Sequence, residues 1–419
     1  MKNSSVLAHS QHNNNNTTVS NSDTLYTNIV HSNSSLTNAI TSYQQCSYQS
    51  LIIGEYQDSK NSAHQACCYA SVVKQWFNKK PTSELVDKSN AILLHDYQQQ
   101  LFSNPIGCGL IPIIDNLAFT LAVSDRQLVK FEKQLKKKSF NGFTLHKTGF
   151  IGFLKNCTEK YINFALFRFS DGSQIIIYWG LSDGIRKARP KQRLMKISYN
   201  PARSSTHQTI NFFTWLKESK AFNYNRIMAE ANVTRIDTAI DLFGFHLSNL
   251  LIDKPNVGHI EYFQNITPNG EVVVGTLKLG SPADSNLIVY DKQHKLINVE
   301  DYNIPLLEYR NGELVSITRI ERKYKPADGK PIRLADLDLA PYFLTDCKFY
   351  SPTVLRELTN KELQSVRTKG FAFWLYFDCE RKEEIDELLS KNELHVDNNS
   401  LYVAQAKQLK TLKQLILSI

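Results

Sequence analysis

The chain reads as an α+β protein built around an antiparallel sheet, with helical segments on either flank. Three observations carry this reading. From Pro105 to Tyr324, short runs rich in β-branched and aromatic residues follow one another closely. Helix-like spacing interrupts them at only two places, Arg126 to Lys138 and Thr209 to Ala231. Before and after this stretch the apolar spacing is helical instead.

In chain order, the first 40 residues contain 22 Asn, Ser or Thr and almost no charge. Such a segment buries too little surface to offset its ordering entropy, so residues 1–60 are expected to be a disordered tail. Residues 61–104 form a small helical segment, with Ala66, Tyr69, Ala70, Val73, Trp76 and Phe77 on one stripe. Strands are expected at Ile111 to Val123, Phe150 to Phe153, Tyr161 to Phe169, Gln174 to Trp179 and Leu194 to Tyr199. A second set follows at Val233 to Phe245, Glu271 to Leu279, Leu287 to Tyr290 and Leu314 to Tyr324. Together residues 105–345 make one catalytic domain. Residues 346–419 are mixed and helical: a helix-rich region from Pro352 to Lys369, a strand at Phe371 to Phe377, an acidic helix at Glu380 to Leu389 and a basic C-terminal helix.

Composition narrows the function classes. Lys+Arg number 49 against 40 Asp+Glu, for a net charge of +9, which favours a polyanionic partner. No apolar run approaches the roughly 18 residues of a membrane helix, so a cytoplasmic protein without a membrane partner is expected. Seven cysteines with no CxxC pair argue against a disulfide framework and a zinc knuckle.

The chemistry concentrates in three strands that carry ionisable residues where apolar ones would be cheaper. In Val233 to Phe243, Arg235, Asp237, Ala239 and Asp241 share one face by the two-residue period of a strand. In Ile317 to Lys323, Arg319, Glu321 and Lys323 align the same way; in Leu287 to Lys292, Tyr290 and Lys292 do. One such strand is ordinarily a solvated face or a cross-strand ion-pair ladder. Three together supply a phenolic nucleophile, a neighbouring cation and separated carboxylates, the parts of a metal-assisted phosphoryl-transfer site. Tyr290 would be the nucleophile, and Lys292 would help the phenol ionise. Asp237 and Glu321 would hold Mg²⁺ or Mn²⁺, whose hard charge suits oxygen ligands, with Asp241 as a further candidate.

At these residues the sequence resembles a known family. Arg235-Ile-Asp-x-Ala-Ile-Asp241, Gly280-Ser-x-x-x-Ser285 leading into Leu287-Ile-Val-Tyr-Asp-Lys292, and Thr318-Arg-Ile-Glu-Arg322 are similar to motifs of the replication initiation factor family. This family comprises the rolling-circle initiators of plasmids, integrative elements and filamentous phages. Ile114-Asp-x-Leu-x-Phe-Thr120 is similar to the strand that opens its catalytic domain. The resemblance implies a duplicated fold related to that of HUH endonucleases, and an enzyme whose tyrosine nicks origin DNA, joins the 5′-phosphate and leaves a 3′-OH. By position the tyrosine is Tyr290, the metal carboxylates come from Asp237, Asp241 and Glu321, and Lys292, Arg235 and Arg319 contact phosphate. The chain has no His-x-His pair, which agrees with a carboxylate site. Origin DNA, double-stranded and nicked or single-stranded, is the implied partner, with a host helicase and polymerase and a possible homodimer.

Between Gly184 and Arg203 lie Arg186, Lys187, Arg189, Lys191, Arg193, Lys196 and Arg203 with no acid among them. The run is expected to contact DNA phosphates, each contact releasing counterions. The alternative is a non-catalytic DNA-binding regulator of the same fold; a tyrosine recombinase lacks its Arg/His pattern here.

Overall fold

Along a strand, side chains alternate between the two sides of the sheet, and here the apolar side is the one that helices cover. The computed structural model describes residues 91–108, 110–137, 140, 142–150, 161–170, 172–188, 193–243, 246–267, 270–281, 285–292, 294, 316–326 and 330–419. Helix α1 (Ala91–Ser103) precedes the sheet. The first half of the sheet is β1 (Ile113–Leu121), helix α2 (Asp125–Leu135), β2 (Phe143–Phe150), β3 (Tyr161–Phe169), β4 (Gln174–Leu181), short α3 (Asp183–Ala188) and β5 (Met195–Tyr199). Helices α4 (Thr206–Glu218) and α5 (Tyr224–Ala229) lead into the second half: β6 (Asn232–Phe243), β7 (Leu251–Asp253), β8 (Ile260–Ile266), β9 (Val272–Leu279), β10 (Asn286–Asp291) and β11 (Ile317–Tyr324).

The strand order is β2-β3-β4-β5-β1-β6-β11-β10-β9-β8, with every pairing antiparallel and short β12 (Ile332–Arg333) on β6. Each half places its opening strand, β1 or β6, beside its closing strand, β5 or β11. The two opening strands pair with one another at the centre. Off this sheet, β7 pairs with β13 (Lys348–Tyr350).

Behind the first half, Phe167, Ile177 and Ile197 pack with Phe131 of α2 and Phe212 and Phe213 of α4. Behind the second half, Ile240, Val289 and Ile320 pack with Leu94 and Leu101 of α1 and with Phe349 and Leu401. Burying each such side chain contributes roughly 1.5–3 kcal/mol. Local signals start the helices: Ser124 with Gln127, and Ser205 with Gln208, form capping boxes at α2 and α4. Of the C-terminal helices α6 (Asn360–Lys369), α7 (Phe371–Phe373), α8 (Lys382–Lys391) and α9 (Asn398–Leu417), α7 and α9 enter these cores, with Leu409 and Leu412 of α9 against the first half, and α6 and α8 pack in a third. Among the described residues no helix is long and apolar enough to cross a membrane.

One expectation is corrected. Phe371 to Phe377 is helical: α7 runs into a π-helical turn, Trp374–Asp378. Its aromatic run resembles a strand, but Phe371, Trp374 and Leu375, spaced as on a helix, enter one core with Val366 and Leu389. The helical spacing at Thr209 to Ala231 is realised as two helices, α4 and α5, parted after Glu218 where Lys220 takes a left-handed φ of 50°. The tail, the helical segment before Ala91 and residues 151–153 of an expected strand lie outside the described residues.

Candidate active site

The side of the sheet away from the helices gathers the ionisable residues of β6, β10 and β11. Register places Tyr290 opposite Arg319, Arg319 opposite Asp241, Glu321 opposite Ala239 and Lys323 opposite Asp237. Tyr290, 5% exposed, donates its phenolic O–H to Glu321 Oε2 at 3.1 Å. Arg319, 2% exposed, donates from Nε and Nη2 to the two oxygens of Asp241 at 2.6 and 2.8 Å. Its Nη1 stands 3.2 Å from Asp115 Oδ1, which also accepts from Asn200 Nδ2 at 2.9 Å. Arg235 grips both oxygens of Asp237, with Nε to Oδ1 at 2.8 Å. Lys292 is buried just beyond β10.

Asp115, Asn200 and Arg203 belong to this cluster although sequence periodicity assigned them no role in it. The register of β1 on β6 slips between Ile114 and Asn116, a β-bulge that leaves Asp115 out of the ladder. Ile114 and Leu117 both enter the helix-side core, so the two residues between them face the site. The strand motif around Asp115 was visible; the bulge that aims it was not.

The electrostatics follow from burial and from these neighbours. Burial, with Glu321, Asp115 and Asp241 nearby, holds the Tyr290 phenol well above its usual range, against the opposing pull of Arg319. Burial, Arg319 and Arg203 bring the Lys292 ammonium down to about 7, although Asp115 and Asp241 oppose the shift. The Asp237 carboxyl is pushed up to about 6 by burial and by Glu321, even with Arg235 on it. Burial would raise Asp115, yet Arg319, Lys292, the Asn200 hydrogen bond and Arg203 hold it below the carboxylate range. The cluster thus contains a lysine poised between charged and neutral, and a phenol whose bonded acceptor is a carboxylate.

Asp237 and Glu321 are the carboxylates expected to hold Mg²⁺ or Mn²⁺; Glu321 adds to the upward push on Asp237, and both oxygens of Asp237 are engaged by Arg235, which a cation bound there would have to displace. Asp241 has both oxygens engaged by Arg319. Among the described residues no group of three His, Cys, Asp or Glu side chains is assembled to hold a metal.

Arg203, the last cation of the run after Gly184, reaches this cluster; the earlier part of the run stands apart from it. Arg186 pairs with Asp125 at 2.8 Å, Lys187 is exposed on α3, and Arg193 donates to Asn232 Oδ1 at 3.2 Å. Asn232 begins β6 and Asp241 nearly ends it, about 30 Å away at roughly 3.3 Å per residue. Arg189 and Lys191 lie outside the described residues. Of the other tyrosines, Tyr199 is enclosed in the helix-side core and Tyr178 lies beneath the Lys196 ammonium, 5.5 Å from the ring centre. Compared with known proteins, the chain matches no family model and no curated relative.

Proposed function

We propose that the chain is a rolling-circle DNA replication initiator that nicks origin DNA through Tyr290. The observation that carries this is the Tyr290 to Glu321 hydrogen bond inside a buried cluster with Arg319 and Lys292. In the proposed step, Glu321 accepts the phenolic proton and the phenolate oxygen attacks the scissile phosphorus in line. The P–O3′ bond breaks, the 5′-phosphate stays on Tyr290, and Lys292, in its ammonium form, gives a proton to the departing 3′ oxygen. Mg²⁺ or Mn²⁺ held by Asp237 and Glu321 would balance charge on the phosphoryl oxygens. Arg319, clamped by Asp241 and Asp115, positions β11 and so the carboxylate that meets Tyr290. The strand order that repeats in the two halves supports descent from a duplicated HUH-related fold, and the lack of a His-x-His pair agrees with a carboxylate site.

The test is incubation with supercoiled DNA carrying the element's own origin and Mg²⁺ or Mn²⁺. A covalent 5′-DNA adduct is expected from the parent and none from Tyr290→Phe. An adduct that persists in Tyr290→Phe removes the nucleophile assignment. A non-catalytic DNA-binding regulator is the second reading, favoured by the closed Asp241 to Arg319 pair; absence of any adduct with either metal would establish it over the first.

A further inference from the structure

The helices that cover the first half of the sheet leave between them a cleft that the nicking reading does not use. One lobe of it, about 450 Å³, lies between α2 and the break from α4 to α5. Lys130 of α2, Lys217 of α4 and Lys220 of the break line this lobe, together with the amides of Gln127, Asn223 and Asn225. Among the described residues that line it there is no Asp or Glu. Gln127 and Asn223 also line a second lobe of about 760 Å³, so the two adjoin.

Local structure accounts for the lysines. Leu128 and Phe131 of α2 enter the helix-side core, which leaves Gln127 and Lys130, three residues apart, as neighbours on the rim. Lys220 holds its φ of 50° just past the end of α4, where a chain most often places glycine. A lysine kept there bears a backbone strain that glycine would avoid, and strain of this kind collects at ligand sites. Lys217 donates to the Ile419 carbonyl oxygen at 2.6 Å, so part of its hydrogen bonding serves the fold. Lys130 and Lys220 are exposed and carry no ion pair among the described residues.

The second lobe has a different character. Val123, Leu194 and Ile227 give it an apolar wall, and Arg186, Arg193 and Arg226 stand around it. Its two acids are each held by an arginine, Asp125 by Arg186 at 2.8 Å and Glu230 by Arg226 at 3.2 Å. Arg193 donates instead to the Asn232 amide oxygen. Each lobe falls within the roughly 300–1,000 Å³ usual for small-molecule sites. An acid-free lobe of lysines suits several phosphates held close together, because each ammonium is a compact charge with rotatable donors. An apolar wall flanked by planar guanidinium groups suits a flat ring system. Joined, the lobes fit one molecule with a polyphosphate at one end and a heterocycle at the other.

We infer that this cleft binds a nucleoside triphosphate, its phosphates among Lys130, Lys217 and Lys220 and its base against Leu194 and Ile227. The cleft lies among the helices behind the sheet, on the other side from Tyr290, so binding there does not depend on the nicking reading. Arg186 and Arg193 belong to the run expected to contact DNA, which makes DNA the competing occupant in the test.

The experiment is isothermal titration calorimetry of the full chain with ATP, in EDTA so that no divalent metal bridges the two. Saturable one-to-one binding is expected. Lys130→Ala combined with Lys220→Gly is expected to weaken it about tenfold or more through the loss of two charge-assisted contacts. Both changes suit their backbone, alanine in a helix and glycine at a positive φ, and the melting temperature is read alongside to show that the variant is folded. Tripolyphosphate is expected to compete with ATP but to bind about fivefold or more weakly, for want of the base in the apolar lobe. Lys136→Ala, exposed just past α2 and outside the cleft, is the control and is expected to leave affinity unchanged. No saturation by millimolar ATP, or equal affinity in the parent and the folded double variant, overturns the site. Tripolyphosphate bound as tightly as ATP overturns the nucleotide assignment. A short mixed-sequence duplex that loses affinity in the double variant, while ATP fails to bind the parent, overturns it in favour of DNA.

Discussion

At the scale of single residues, the Arg319 guanidinium is the point on which the site turns, since two carboxylates from different halves of the sheet hold it. Removing one member of a buried pair leaves the other charge uncompensated, at a cost of about 3–5 kcal/mol. Asp241→Ala is therefore expected to lower the urea midpoint strongly, whereas Asp241→Leu combined with Arg319→Met is expected to cost less than the single change. Asp237 gives a prediction in pH. Its folded pKa, about 6, lies above the ordinary 3.8. Between these values the folded chain holds a proton that the unfolded chain has released, so stability contributed by this group is full below about 4 and is lost as pH rises through 6. Urea unfolding across that range should show a loss on the order of 2–3 kcal/mol from this group, and Asp237→Asn should remove that slope. Added Mg²⁺ is expected to recover stability above pH 6 in the parent and not in the variant.

At the scale of elements, Gly370 separates α6 from α7 with a φ of +88°. A Cβ there would also meet Leu277 Cδ1 and Val274 Cγ2 at 3.4 Å. Gly370→Ala is expected to cost about 1–2 kcal/mol through backbone strain, read as a lower melting temperature. Elements also show what a sequence can and cannot disclose. The three charged strands were legible because a period of two places Arg235, Asp237, Arg319, Glu321 and Tyr290 without knowledge of tertiary structure. Their partners were not. That Asp241 closes on Arg319 while Glu321 receives Tyr290 depends on register between distant strands. Asp115 was hidden by a bulge that breaks the very periodicity used to read it, and α7 by aromatic content shared between strands and helices. Strand β8 (IEYFQNI) went unread because its own bulged pairing leaves Phe263 and Gln264 both exposed, without clean alternation.

For the whole molecule, the seam between β1 and β6 joins two ladders into one sheet. A chain cut to residues 231–419 would leave β6, the longest strand, as an open edge and strip Arg319 of Asp115. Such a fragment is expected to aggregate on size-exclusion chromatography and to form no adduct, and co-expression with the first half is expected to restore soluble protein. The net charge of +9 lies beyond residue 54, since residues 1–54 hold only Lys2 and Asp23 as charged side chains. Strands β2 to β5 contain no Asp or Glu and carry part of that excess.

The mirrored strand order also sets a sequence of events in folding. Neighbouring strands β2 to β4 and β8 to β10 are close in sequence, but Ile113 must find Ala239 more than a hundred residues later. Loop-closure entropy therefore favours assembly from the outer strands inward, with the centre of the sheet expected to close last. Asp115 reaches Arg319 only at that closure. A chain still emerging from the ribosome thus carries Tyr290 without its assembled surroundings, and the nicking proposed above is expected only of the closed sheet.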